Sequence, residues 1–179
     1  LTLNGDKNSI VKNNYVYVGN YGLTVSNSEG TTITGNTANN FLYHGIFVSN
    51  SQLITIIDNI ANDNGDQYHD YGGDGFYLSG SGVGTNTITT MIGNTANNNS
   101  HYGFNVDSFS EVTTFTGNTA TGNGVSDIEG DAVSNVVITG EIIVSESSNN
   151  QCHLIGTWDP DSKTCTLGID LQGNIVIYG

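Results

Sequence analysis

An all-β solenoid wound in coils of about 23 residues is the fold this sequence predicts, and three observations predict it. A polar phrase recurs: Gly35-Asn36-Thr37-Ala38-Asn39-Asn40 returns as Gly93-Asn94-Thr95-Ala96-Asn97-Asn98 and, loosened, as Gly117-Asn118-Thr119-Ala120-Thr121-Gly122. Apolar residues hold fixed columns around it. No helical period separates the columns, as strand-built repeats require.

With the Asn of the phrase as marker, the coils align on Asn13, Asn36, Asn59, Asn94, Asn118 and Glu141, at intervals of 23, 23, 35, 24 and 23 residues. Three residues earlier stand Ile10, Ile33, Ile56, Met91, Phe115 and Ile138; two residues later stand Tyr15, Ala38, Ala61, Ala96, Ala120 and Ile143. These are the expected inward positions. Ser9, Thr32, Thr55, Thr90, Thr114 and Val137, one step before the first of those columns, are expected to point outward. A second strand follows in Gly22-Leu23-Thr24-Val25, Gly45-Ile46-Phe47-Val48, Gly75-Phe76-Tyr77-Leu78 and Gly103-Phe104-Asn105-Val106. Its leading Gly suits a corner where φ turns positive or backbones crowd. In a stack of such coils, Asn13, Asn36, Asn59, Asn94 and Asn118 are expected to form a hydrogen-bonded ladder at one corner.

The charge pattern narrows the function. Seventeen acids face three bases, Lys7, Lys12 and Lys163, for a net charge of −14. A surface so short of cations repels phosphate backbones and excludes nucleic-acid binding. No stretch is apolar enough to insert into a membrane. The lack of Arg and the abundance of Asn, Thr, Ser and Gly suit an extracellular or cell-surface setting. With no basic and apolar leader at its start, the chain reads as a mature or excised segment.

The motifs "ITGNTANN", "YGLTVSNS", "HGIFVSNS" and "YGFNVDS" resemble those of right-handed parallel β-helix repeat proteins, the pectin-lyase-like superfamily, and among them the NosD-like and archaeal or bacterial cell-surface members. The resemblance spans roughly residues 8–144. It implies a right-handed coil and leaves function open, since the superfamily holds lyases, epimerases, glycosidases, adhesins and inert shafts. Polyuronate lyases and epimerases of this kind use Arg, Lys or a metal against the substrate carboxylate, and here no Arg exists and no Lys lies between residues 13 and 162. Glycosidases need only two carboxylates. An ice-binding array of Thr is broken by Val11, Ile57 and Ile92.

One coil is irregular. Nine residues separate marker from corner Gly in three coils, but sixteen separate Asn59 from Gly75, and "SGSGVGTN" expands the same coil at 79–86. The inserted "NDNGDQYHDYGGDG" offers Asp63, Asp66, Asp70 and Asp74, with Tyr68, His69 and Tyr71 beside them. Two readings stand: a Ca²⁺ or sugar site, or a solvated polar loop. No other cofactor is implied. Before the corner Gly residues stand Tyr21, His44, Asp74 and Tyr102, with Tyr43 and His101 one residue further back. Tyr21, Tyr43, His44 and Tyr102 are the candidate carbohydrate contacts; the alternative is that the rings brace the corner.

The chain divides into β-helix coils at 1–148 and a hairpin with a following strand at 149–179. Cys152 and Cys165 flank "HLIGTWDPDSKT", whose Asp-Pro-Asp-Ser centre is a turn signal, so a disulfide-closed hairpin is expected. Asn98-Asn99-Ser100 is a glycosylation sequon. In surface proteins of the resembling family a phrase of the form IVI…G-x-LTL(D/N)G opens the helix. Here "IVIYG" stands last and "LTLNG" first. Leu1, Leu3, Ile175 and Ile177 are therefore the expected assembly contacts, joining copies head to tail into a filament, sheath or tandem array. That structural role leads. The rival is a carbohydrate-binding or carbohydrate-cleaving β-helix using the coil of residues 59–86, with polysaccharide as partner.

Overall fold

A computed structural model describes residues 1–66, 72–82 and 86–129, together with the backbone strands 142–145, 156–159, 164–167 and 175–178. Its strands stack in parallel into three faces. The first face runs Thr2–Asn4, Leu23–Ser26, Ile46–Ser49, Phe76–Ser79, Tyr102–Val106 and Ser126–Glu129. The second runs Ile10–Lys12, Thr32–Thr34, Ile54–Ile57, Asn86–Ile92 and Ser110–Val112, with Phe115–Thr116 also pairing Asn86–Ile92. On the third, Tyr15–Gly19 pairs Thr37–Phe41, isolated bridges through Ile60 carry the ladder to Thr95–Asn97, and Thr119–Thr121, Ile142–Ser145 and Ile175–Tyr178 follow. Every neighbour in these faces is parallel; Gly156–Asp159 and Thr164–Leu167 alone among the described pairs run antiparallel, with Trp158 opposite Cys165. Cys152 lies outside the described residues, and the expected disulfide with it.

The alternating pattern explains the core. Leu23, Val25, Ile46, Val48, Phe76, Leu78, Phe104 and Val106 from the first face meet Ile33, Ile56, Met91 and Phe115 from the second and Ala38, Ala61, Ala96 and Ala120 from the third, all buried. Small Ala on the third face lets it approach the bulky first, as close packing of the coil interior requires. The leading Gly of the first-face strands is needed for crowding and not for a positive φ. A Cβ on Gly45 would stand 2.6 Å from Asn64 Nδ2, 2.8 Å from the Ala38 carbonyl oxygen and 2.9 Å from Ala61 Cβ.

Two coils depart from the expected alignment by one residue. Ile10 is 72% exposed and pairs with Thr32, while Val11 pairs with Ile33 and is buried. Likewise Tyr15 is exposed and Val16, paired with Ala38, packs against the core. The cause is the corner. Gly35, Asp58, Gly93 and Gly117 hold the left-handed conformation just before Asn36, Asn59, Asn94 and Asn118, and in the first coil Asn13 (φ 56°) occupies that position. Asn is among the few residues that adopt it at low cost. Asn14 is then the ladder residue. At the other end Ala120 pairs with Val144 and Thr119 with Ile143, so Ile143 leaves the Ala column and Ile142, rather than Glu141, falls at the marker.

Hydrogen-bonded ladders run at all three corners, where the sequence predicted one. The first links Asn14, Asn36, Asn59, Asn94 and Asn118: each Oδ1 from Asn36 onward accepts the backbone N–H and the Nδ2 of the coil before at 2.9–3.0 Å. The second passes from Asn64 through Asn99 and Asn123 to Asp127. The third uses Ser28, Ser51, Asn86 and Ser110. Each ladder satisfies the donors and acceptors that a tight buried turn would otherwise leave without partners.

Candidate functional site

The chemistry-bearing side chains gather where the third face turns into the first. Strand alternation aims Thr24, Phe47, Tyr77, Asn105 and Glu129 outward in one in-register column across successive first-face strands. Beside it, at the position before the corner Gly, stand Tyr21, His44, Asp74 and Tyr102. Coil spacing of about 4.8 Å brings both files into ring contact. Tyr21 stacks toward Tyr43 at 5.0 Å, His44 at 5.8 Å and Phe47 at 6.0 Å; His44 lies 4.8 Å from Tyr77, and Phe47 and Tyr77 are nearly parallel at 5.4 Å. The result is a continuous aromatic ridge over three coils. Its outer end, Tyr21, is 46% exposed.

Asp74 lies beneath this ridge, 1% exposed. Its Oδ1 accepts from His101 Nδ1 at 2.9 Å and from the Tyr102 backbone N–H at 3.0 Å, and its Oδ2 accepts from Asn105 Nδ2 at 2.9 Å. His44 Nδ1 approaches Oδ2 at 3.4 Å and accepts the Asp74 backbone N–H at 3.3 Å. That acceptance places the His44 proton on Nε2 in the neutral ring. Burial pushes the His44 pKa down; the Asp74 carboxylate pulls the other way and His101 adds to the depression. The attraction of Asp74 is real but smaller than the loss of hydration, so neutral His44 is favoured. The Tyr102 phenol is pushed up, by burial first and then by the negative charges of Glu129 and Asp74.

The four acids of the insertion do not form one cluster among the described residues. Asp63 is exposed at φ 56°, and with Asp66 it lines a groove of about 560 Å³ beside Val18, Asn40 and Leu42. Asp63 also borders a groove of about 580 Å³ with Asn98, Asn99 and Ser100. Asp74 instead points into the His44 and His101 network. Asp70, Tyr68, His69 and Tyr71 lie outside the described residues. The insertion is pinched at its base, where a Cβ on Gly73 would collide with Gly65 and one on Gly72 would stand 3.0 Å from His101 Nδ1. Its two ends therefore sit against the site. No group of three or more His, Cys, Asp or Glu among the described residues has metal-ligating geometry.

Of the expected sugar contacts, Tyr21, Tyr43 and His44 come together, and Tyr102 joins them through Asp74 and through His101, whose ring centre is 3.9 Å away. Phe47, Tyr77, Asn105 and Glu129 were not singled out from the sequence. Their signal was there: rings at the outward positions of "GIFVS" and "GFYLS", where the other coils place Thr or Asn.

Three parallel faces wound from coils of this length define a β-solenoid that carries its site on a lateral face. The family model described as right handed beta helix region matches residues 1–120, and the chain belongs to that family. No curated protein and no solved structure matches the chain.

Proposed function

We propose that this β-helix is an extracellular binding module that holds a polysaccharide against its first face. The aromatic ridge of Tyr43, Tyr21, His44, Phe47 and Tyr77 carries the reading, because partly exposed rings in a file offer flat apolar surface to the faces of sugar rings. The polar rim of Asn105, Tyr102 and Glu129 supplies hydroxyl partners beside it. Binding fits better than cleavage: the oxygens of Asp74 are already committed to His101, Tyr102 and Asn105, which suits a carboxylate that fixes rings in place. The extracellular setting is supported by the acid-rich composition without Arg. Titration of the protein with soluble oligosaccharides, followed by tyrosine fluorescence and calorimetry, tests the reading. Binding that falls at least tenfold in Tyr21→Ala supports it, and no response to any oligosaccharide refutes it.

Axial assembly is the second reading. Thr2–Asn4 stands first in its face and Ile175–Tyr178 last in its own, and Leu1 is 51% exposed beside the partly buried Leu3. A preceding stretch of chain or a second copy could continue either face. A shift of sedimentation toward monomer in Leu3→Asp supports non-covalent stacking; a wild-type chain that stays monomeric at high concentration removes it.

A further inference from the structure

The electrostatics of the first face name the sugar class that the proposed site would take, and this inference rests on that carbohydrate reading. None of the six strands of the face carries a Lys. Lys7 is paired with Glu29 at 3.2 Å, and Lys12 belongs to the second face. Along the outward column the surface passes from Phe47 and Tyr77 to Asn105 and then to Glu129, one residue per coil. Asn105 commits one Nδ2 hydrogen to Asp74, which leaves its Oδ1 as an acceptor beside the second amide hydrogen. Beyond it, Glu129 is partly exposed and pairs with no cation among the described residues. The track is thus apolar at one end and rich in acceptors and negative charge at the other.

We infer that a linear glycan lies along the solenoid axis, with successive sugars over Phe47, Tyr77, Asn105 and Glu129, and that Glu129 selects amine-bearing sugars over uronates. The step between coils, about 4.8 Å, is close to the length one pyranose adds to an extended chain, so each rung meets one sugar. The rings stack on the apolar end. An ammonium on a sugar at the far end meets the Glu129 carboxylate, and a neighbouring hydroxyl or amine donates to Asn105 Oδ1. A uronate in the same place meets Glu129 and the field of a chain with net charge −14, with no Lys or Arg on the described strands of this face to offset it.

The experiment compares four tetrasaccharides by calorimetry at low and at high salt: a glucosamine oligomer, its fully N-acetylated form, a neutral glucan, and a galacturonate oligomer. The glucosamine oligomer should bind roughly two- to fivefold more tightly than its N-acetylated form, as a half-exposed ion pair allows, and the gap should close in high salt. Glu129→Gln should remove the gap by weakening the glucosamine oligomer more than the neutral glucan, and Tyr77→Ala, with its fold checked by far-UV circular dichroism, should weaken all binders alike. Tightest binding of the galacturonate oligomer, or a preference that Glu129→Gln leaves intact, overturns the role of Glu129 but leaves the carbohydrate reading standing. Equal affinity for the charged and N-acetylated forms does the same. Absence of binding by all four overturns both.

Discussion

Replacing Asn59 by Ala should be among the costliest single substitutions in the chain, although it removes no apolar surface. Its side chain makes five polar contacts, two accepted by Oδ1 and three shared between the two hydrogens of Nδ2. Oδ1 accepts from Asn36 N at 2.9 Å and Asn36 Nδ2 at 3.0 Å; Nδ2 donates to the carbonyls of Ile33 and Ile57 at 2.9 Å and to Asn94 Oδ1 at 3.0 Å. Not all of these are lost without replacement. Asn36 Nδ2 keeps the carbonyls of Val11 and Thr34, and Asn94 Oδ1 keeps the Asn59 N–H. What remains is a buried Asn36 N–H with no acceptor and an Ile33 carbonyl short of the Asn59 donor, since the Ile57 carbonyl keeps the Gly35 N–H. At about 1–3 kcal/mol for each buried group left unsatisfied, with the carbonyl at the low end, the loss is about 2–4 kcal/mol. Asn14 at the start of the same ladder gives the control. Its Nδ2 bonds Asn36 Oδ1 at 2.9 Å and the Lys12 carbonyl at 3.2 Å near solvent, and its own N–H survives truncation. Asn14→Ala should therefore cost about 0.5–1.5 kcal/mol. Equilibrium urea unfolding by far-UV circular dichroism measures both, and hydrogen exchange at the Asn36 amide reports the local opening. Equal losses in the two variants, or a loss below about 1 kcal/mol for Asn59→Ala, would refute the claim that the ladder holds the corner.

The first-coil register is tested by a pair. Val11→Asp places a charge in the core and should cost several kcal/mol, whereas Ile10→Asp should stay within about 0.5 kcal/mol, and the reverse order in urea melts would restore the other register. The pH dependence follows from His44. Its native pKa lies below its unfolded value of about 6.5, so between the two values the unfolded chain binds more protons and stability rises with pH through that window. Acidification from pH 7.5 to 5 should lower the urea midpoint of the wild type, and His44→Asn should flatten that slope; an unchanged slope would assign it to other groups.

The inward columns were legible because their spacing is covalent. Coil length is fixed by counting residues, and a strand's period of two decides which of Leu23, Thr24 and Val25 is buried wherever the start of the strand is known. The same arithmetic failed at Asn13 and Asn14. Two adjacent Asn residues each suit the corner, one by tolerating a left-handed backbone and the other by bonding along the ladder, and composition does not say which takes which place. Only the pairing of Ile10 with Thr32 decides it.

By itself, then, the sequence determined the solenoid, its repeat, the buried Ile, Leu and Ala columns and the irregular coil, since all of these follow from periodic spacing along one chain. The tertiary structure decided the site. Asp74 reads as one of four acids in a polar insertion, yet it is 27 residues from His101, 30 from His44 and 31 from Asn105 along the chain and in contact with all three. Those distances collapse because the four residues sit at the same or neighbouring points of their own coils, and stacking coils places such points one rung apart. Counting back from the corner Gly already set Asp74 in one column with His44 and Tyr102; that its carboxylate is buried and bonded to His101, the Tyr102 N–H and Asn105 is what stacking alone decides.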